Sequence, residues 1–201
     1  RASGILTVDL NLLAENYAFL NSQVDKTTVC AAVIKSDAYG LGIEPVSLRL
    51  AQEGCDSFFV ALMEEAVQLR TILKRHQHKA KIYLLHGITE GTETDLDYYQ
   101  VTPVLNSLAD IKSWSKHAQK IAERRNAILN LDTGMSRLGL DNWELKTFIN
   151  NPELGAGITF TYIMSHLACA DDRNNDKNEE QRNLFNAYRG RLKIQNASLS
   201  N

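Results

Sequence analysis

The chain has little of several things, and each shortage excludes something. Its 201 residues contain only three cysteines, Cys30, Cys55 and Cys169. That odd number at irregular spacing is neither a disulfide framework nor a zinc pattern, and reduced thiols fit a cytoplasm. No excess of basic residues exists: the net charge is −2, which argues against a nucleic-acid partner. No apolar run approaches the ~20 residues that span a bilayer, so no membrane partner is expected. The sequence opens on Arg1 rather than Met and shows no basic-then-apolar leader segment there. Internal repeats, low-complexity tracts and linkers are also missing, so residues 1–201 read as one domain. Apolar residues at 44% and charged residues at 23% are ordinary for a globular protein.

What is there is alternation. Residues 5–10 alternate apolar and polar and predict a half-exposed strand. Asn11 is a candidate cap for a helix whose face is Leu13, Tyr17, Leu20 and Val24. Short apolar strands are then expected at 29–34, 58–62, 82–85, 101–105, 127–131, 158–164 and 194–199. Helices fall between most of them, at 44–53, 64–75, 142–150 and 179–192, and after Ser107, a candidate cap, with Leu108, Ile111, Trp114, Ala118 and Ile121 on one face. In the helix at 179–192 the expected face is Leu184, Tyr188 and Leu192. This βα order predicts an α/β fold with a parallel sheet and helices outside. Periodicity alone leaves both a doubly wound sheet and a barrel open, and seven strands do not close an eight-stranded barrel.

Three side chains share one place in the pattern. Lys35 follows the apolar run 29–34, which reads as a strand buried on both faces. Arg137 follows the strand at 127–131 after a short turn, and His166 follows the strand at 158–164. In βα architectures the carboxyl ends of the strands carry the chemistry, so all three are expected at one rim. A lysine there can form a Schiff base with an aldehyde, or it can end a strand and snorkel to water. Arg137 alone could pair with a carboxylate, and His166 alone could be satisfied in the core.

The words around these residues are more specific. The string K-x-x-A-Y-G-x-G, here Lys35, Ala38, Tyr39, Gly40 and Gly42, resembles the cofactor-lysine motif of the alanine racemase family. ALMEEAVQLR at 61–70, LDTGMSRLGL at 131–140 and MSHLACAD at 164–171 resemble the same family in the same order. The resemblance implies a (β/α)8 barrel, incomplete at its carboxyl-terminal end, with a β-rich domain following it in the family. It implies pyridoxal 5′-phosphate (PLP) as cofactor and the interconversion of L- and D-alanine, supplying D-alanine for peptidoglycan, by two-base α-proton transfer. Lys35 would hold PLP as a Schiff base and move the α-proton on one face. Tyr39 would bind the phosphate, Arg137 the cofactor's phenolic oxygen or the substrate carboxylate, and His166 would flank the pyridine ring. Asn201, in the string 197–201, would bind phosphate. The family's second base is a tyrosine of the β-rich domain from the partner subunit. The full-length protein is therefore expected to be a homodimer, and the isolated 201-residue chain an inactive monomer. At Asn130 many family members have a carbamylated lysine that orients the arginine seven residues on. Arg137 is accordingly expected to need Asp132, Asp171 or a bound anion instead, unless it is solvated. A non-catalytic PLP-binding barrel, a serine racemase, and a decarboxylase or aldolase on the same barrel are the other readings.

Overall fold

The computed structural model describes residues 3–200; Asn201 lies outside the described residues. The chain divides into two compact units. One holds the chain up to Leu85 together with Asp97–Val101, and the other holds His86–Leu96 and the chain from Thr102 on.

The first unit begins with α1 (Leu10–Ser22). The strand expected at 5–10 does not form: Ile5 and Leu6 stand in solvent without a partner strand. Asp9, not Asn11, caps α1. Its carboxylate accepts the N–H groups of Asn11 and Leu12 at 2.9 and 3.2 Å and satisfies two donors that every helix start leaves over. Three strands follow, β1 (Ala32–Val33), β2 (Ser57–Val60) and β3 (Lys81–Leu84). They pair in parallel, with Ala32 opposite Phe58 and Phe58 opposite Ile82. Phe59 stacks on Tyr83 across the β2–β3 pair. The run 29–34 is not buried on both faces as expected. Only two of its residues pair, and Val29 and Val33 are exposed, because β1 pairs with β2 alone within this unit.

Helices α3 (Ile43–Gln52) and α4 (Met63–Arg75) bury Ile43, Val46 and Leu50, and Ala66, Leu69 and Leu73, respectively. These are the apolar stripes of 3.6-residue periodicity. Arg70, also on α4, is buried with no carboxylate partner among the described residues. Its guanidinium donates to the carbonyls of Tyr99, Ala80 and Gln100 at 2.8–2.9 Å. A rigid fork with five donors suits three fixed acceptors.

The second unit carries β4 (Val101–Leu105), α6 (Leu108–Lys120), β5 (Arg125–Asn130), α7 (Asn142–Asn150), β6 (Ile158–His166), α8 (Asp176–Leu192) and β7 (Ala197–Ser200). A short helix, α5 (Glu93–Tyr98), was not legible in the sequence. The pairs β4–β5, β5–β6 and β6–β7 are all parallel. Ser107 caps α6 as expected, accepting the Asp110 N–H at 3.1 Å. Leu108, Ile111, Trp114 and Ala118 are buried. In α8 the buried face is Gln181, Phe185 and Tyr188, turned from the expected one: Leu184 is 39% exposed. A buried glutamine escapes any count of apolar spacing. The strand at 158–164 runs on to His166, so the imidazole belongs to the last strand residue rather than to the loop.

In each unit the strands lie in chain order. Neither unit contains the reversal of order that a doubly wound sheet needs. No helix among the described residues is long and apolar enough to cross a membrane.

Candidate active site

Lys35 leaves β1 and is half-buried. The next residues, Ser36, Asp37, Ala38 and Tyr39, all have φ between 53 and 56°. With ψ of 47–49° over Ser36–Ala38, they form a left-handed helical turn, α2 (Lys35–Tyr39). The left-handed conformation disfavours a residue with a Cβ by roughly 1–2 kcal/mol, so four in succession require compensation.

The compensation is a set of hydrogen bonds and one buried methyl. Ala38 N–H donates to the Ile34 carbonyl at 3.0 Å, Gly40 N–H to Ser36 at 2.9 Å and Gly42 N–H to Asp37 at 2.9 Å. Asp37 Oδ1 accepts the Ile43 N–H at 2.7 Å, tying the turn to the start of α3. Glu65 Oε1 accepts the Ser36 N–H at 2.6 Å. Ala38 is 3% exposed, whereas the ring of Tyr39 is open to solvent. Lys35 Nζ lies 5.9 Å from the centre of that ring. The amine has no carboxylate partner among the described residues.

In the second unit Arg137 sits in the loop between β5 and α7, and His166 ends the neighbouring strand β6. The loop is closed by backbone: Leu140 N–H donates to the Asn130 carbonyl at 2.9 Å and Asp132 N–H to the Leu140 carbonyl at 3.0 Å. Gly139 makes this closure possible. Its φ is +108°, and a Cβ there would stand 2.6 Å from Asp132 N and from the Leu131 carbonyl carbon. Asp132 Oδ1 accepts the N–H groups of Gly134 and Ser136, both at 2.9 Å.

Arg137 itself is exposed. Asn130 is buried and donates through Nδ2 to Asn106 Oδ1 at 2.8 Å.

The loop and the end of β6 are joined by a buried polar network that sequence reasoning missed. Gln181 of α8 donates to Thr133 Oγ1 at 3.1 Å and to the His166 carbonyl at 2.9 Å. Its Oε1 accepts the Ala168 N–H at 2.9 Å. The hydroxyls of Thr133 and Ser165 lie 2.8 Å apart, and Ser165 donates to the Leu131 carbonyl at 2.7 Å. Every member of such a network must be paired at low dielectric, and these are. Its effect is to hold the first residues of the Arg137 loop against the strand end that carries His166.

Tyr17 and Cys55, elsewhere in the first unit, are shifted by burial. Burial, together with the neighbouring Cys55, Cys30 and Asp56, holds the Tyr17 phenol well above the usual tyrosine value; the hydroxyl donates to the Cys30 carbonyl at 3.0 Å. Burial also pushes the Cys55 thiol up. Cys55 is packed in the core, while Cys30 is half-buried.

Parallel strands in chain order, alternating with helices and carrying a lysine, an arginine and a histidine at or just beyond their carboxyl ends, define an α/β protein of the parallel-barrel class. The family is more particular. A family model described as "Alanine racemase, N-terminal domain" matches residues 8–201, and the chain belongs to that family. It is 44% identical over 180 residues to a catabolic alanine racemase of Agrobacterium fabrum, covering 90% of this chain and 45% of that protein. It is 38% identical over 201 residues to an alanine racemase of Rhodospirillum rubrum, covering 100% and 53%. The crystal structure of alanine racemase from Bartonella henselae, with covalently bound pyridoxal phosphate, superposes with a TM-score of 0.90 at 36% identity, over 96% of this chain and 55% of that one. The chain thus spans about half the length of the curated relatives it matches.

Proposed function

We propose that this chain is the PLP-binding barrel domain of an alanine racemase, with Lys35 as the residue that bonds the cofactor. The observation that carries the reading is Lys35 itself: a half-buried amine without an ion pair among the described residues, at the end of a parallel strand, fixed by a compact turn. Family membership and the PLP named in the Bartonella henselae structure support it.

The donor set fits such a cofactor. An amine is needed for the aldehyde carbon, and hydrogen-bond donors for the phosphate and phenolic oxygens. Lys35, Tyr39 and Arg137 offer these, and Asn201 adds an amide for the phosphate. Bound PLP supplies the electron sink that makes an α-proton labile.

The chain's residues do the rest. Lys35 Nζ anchors the cofactor and holds and moves the α-proton on one face of the substrate. The phenol of Tyr39 donates to a phosphate oxygen. Arg137 directs its planar fork at the cofactor's phenolic oxygen or at the substrate carboxylate, anions whose geometry it matches. The His166 ring flanks the pyridine ring. In each unit these side chains come from the carboxyl ends of parallel strands, as the barrel class requires.

The substrate is a small amino acid, alanine first, as the names of the relatives indicate. A second base from a partner subunit completes the reaction and makes the working enzyme a cytoplasmic homodimer. Racemisation runs both ways, so one site serves either supply of D-alanine for peptidoglycan or its breakdown; the name of the Agrobacterium fabrum relative is that of a catabolic enzyme.

The test is racemisation of L-alanine by the protein expressed from its complete reading frame. PLP-dependent activity, lost in Lys35→Ala, is expected. Activity that persists in Lys35→Ala contradicts the reading.

A further inference from the structure

Glu65 stands at the third position of α4 (Met63–Arg75). Its Oε2 accepts the N–H groups of Ala61 and Leu62 at 2.8 and 3.1 Å. That is the reaching-back half of a capping box. The other half is missing, since the residue at the cap is Leu62, which has no acceptor. Helix capping therefore uses one oxygen of the carboxylate. The other, Oε1, reaches out of the helix to a residue 29 positions earlier and accepts the Ser36 N–H at 2.6 Å.

That N–H belongs to the peptide joining Lys35 to Ser36. It is the entry to the left-handed turn and the backbone from which the lysine side chain departs. Asp37 fixes the far end of the same turn through the Ile43 N–H. Three backbone donors thus converge on one carboxylate and bind the end of β2, the start of α4 and the peptide after Lys35 into one rigid point. Charge-assisted hydrogen bonds of this kind are about twice as strong as neutral ones.

We propose that Glu65 is a positioning residue for the cofactor lysine: its carboxylate locks the Lys35–Ser36 peptide, and so sets where the amine is aimed. The inference rests on the proposed role of Lys35. A glutamine cannot replace Glu65. It offers one acceptor oxygen to two sets of donors, and its NH2 group would face whichever set is left.

A purely structural role for Glu65, as a cap of α4, makes a different prediction, and Leu62 separates the two. Leu62 is 48% exposed. Leu62→Ser supplies the missing cap acceptor and restores the start of α4 without touching Ser36. The experiment compares wild type, Glu65→Ala, Glu65→Gln and each of these combined with Leu62→Ser, in the protein expressed from its complete reading frame. Glu65→Gln keeps the side-chain volume and covers the case in which Glu65→Ala does not fold.

Three quantities are read: thermal unfolding, hydrogen exchange of the Ser36 amide in cofactor-free protein, and the rate at which added PLP becomes attached to Lys35, trapped by borohydride and mapped by peptide mass. The expected result is that Leu62→Ser recovers the unfolding temperature but neither of the other two. Ser36 exchange stays fast, and attachment stays slower than wild type by about 10- to 100-fold, the scale of an ångström-level misplacement. Wild-type exchange and attachment in the Glu65 variants, or recovery of both by Leu62→Ser, overturns the proposal and leaves the role of Lys35 intact. A wild-type protein that carries no label on Lys35 overturns that role, and this inference with it.

Discussion

Asn130 Nδ2 donates to Asn106 Oδ1 at 2.8 Å, joining the last residue of β5 to the residue after β4. Both side chains are buried, and Asn106 also donates to the Val104 carbonyl at 3.2 Å. Asn130 is thus a neutral link between two strand ends. Asn130→Ala removes this link between the two strand ends. A loss of about 0.5–1.5 kcal/mol is expected, read as a lower urea midpoint with an unchanged slope.

The Gln181 network predicts a larger effect from a more distant residue. Gln181→Leu keeps the volume of the side chain but deletes one acceptor and two donors. Each of the three hydrogen bonds lost contributes about 0.5–1.5 kcal/mol. The variant is expected to unfold at markedly lower denaturant and to lose hydrogen-exchange protection at Ala168. An unaltered Ala168 amide contradicts the network.

Gly139→Ala tests the closure of the Arg137 loop. The added methyl would meet the backbone of Leu131 and Asp132 at a positive φ. Where the native conformation excludes alanine, the loss exceeds the roughly 0.4–1 kcal/mol that alanine gains elsewhere from the unfolded chain. A Tm at or above that of the wild type contradicts the geometry.

Tyr17 links stability to alkaline pH. Its phenol is held above the ordinary tyrosine value by burial first, then by Cys55, Cys30 and Asp56. The folded state therefore keeps a proton that the unfolded state releases near pH 10. The contribution is present in full below that pH and declines above it as the unfolded chain ionises. Tyr17→Phe is expected to flatten the fall in unfolding free energy above about pH 10. Parallel curves for the two proteins contradict the assignment.

Legibility in the sequence followed periodicity. The strand at 101–105 and the helix at 142–150 came out with the observed limits, and the cap at Ser107 was visible, because apolar spacing and a capping side chain are local signals. What failed depended on partners distant in sequence. Residues 5–10 alternate like a strand, yet no ladder receives them. The run 29–34 is apolar throughout, but β1 pairs on one side only within its unit. The buried face of α8 is organised around Gln181, which hydropathy assigns to solvent.

The candidate site divides in the same way. Lys35, Tyr39, Arg137 and His166 could be named because strings and strand ends marked them. Their supports could not. Gly40 and Gly42 announced a loop after Lys35, but nothing local announced four left-handed residues before them. That conformation is disfavoured for each residue alone and is held by bonds from Glu65 and Ile43. Glu65 itself reads from sequence as the acidic first turn of a helix, which it is, with one oxygen to spare.

Whether Lys35 bonds the cofactor is decided by labelling. The protein expressed from its complete reading frame is incubated with PLP, reduced with borohydride, digested and mapped by mass. A single reduced pyridoxyl label on Lys35, absent from Lys35→Ala, is expected. A label on Lys26 or Lys81 instead, or no label at all, would contradict it.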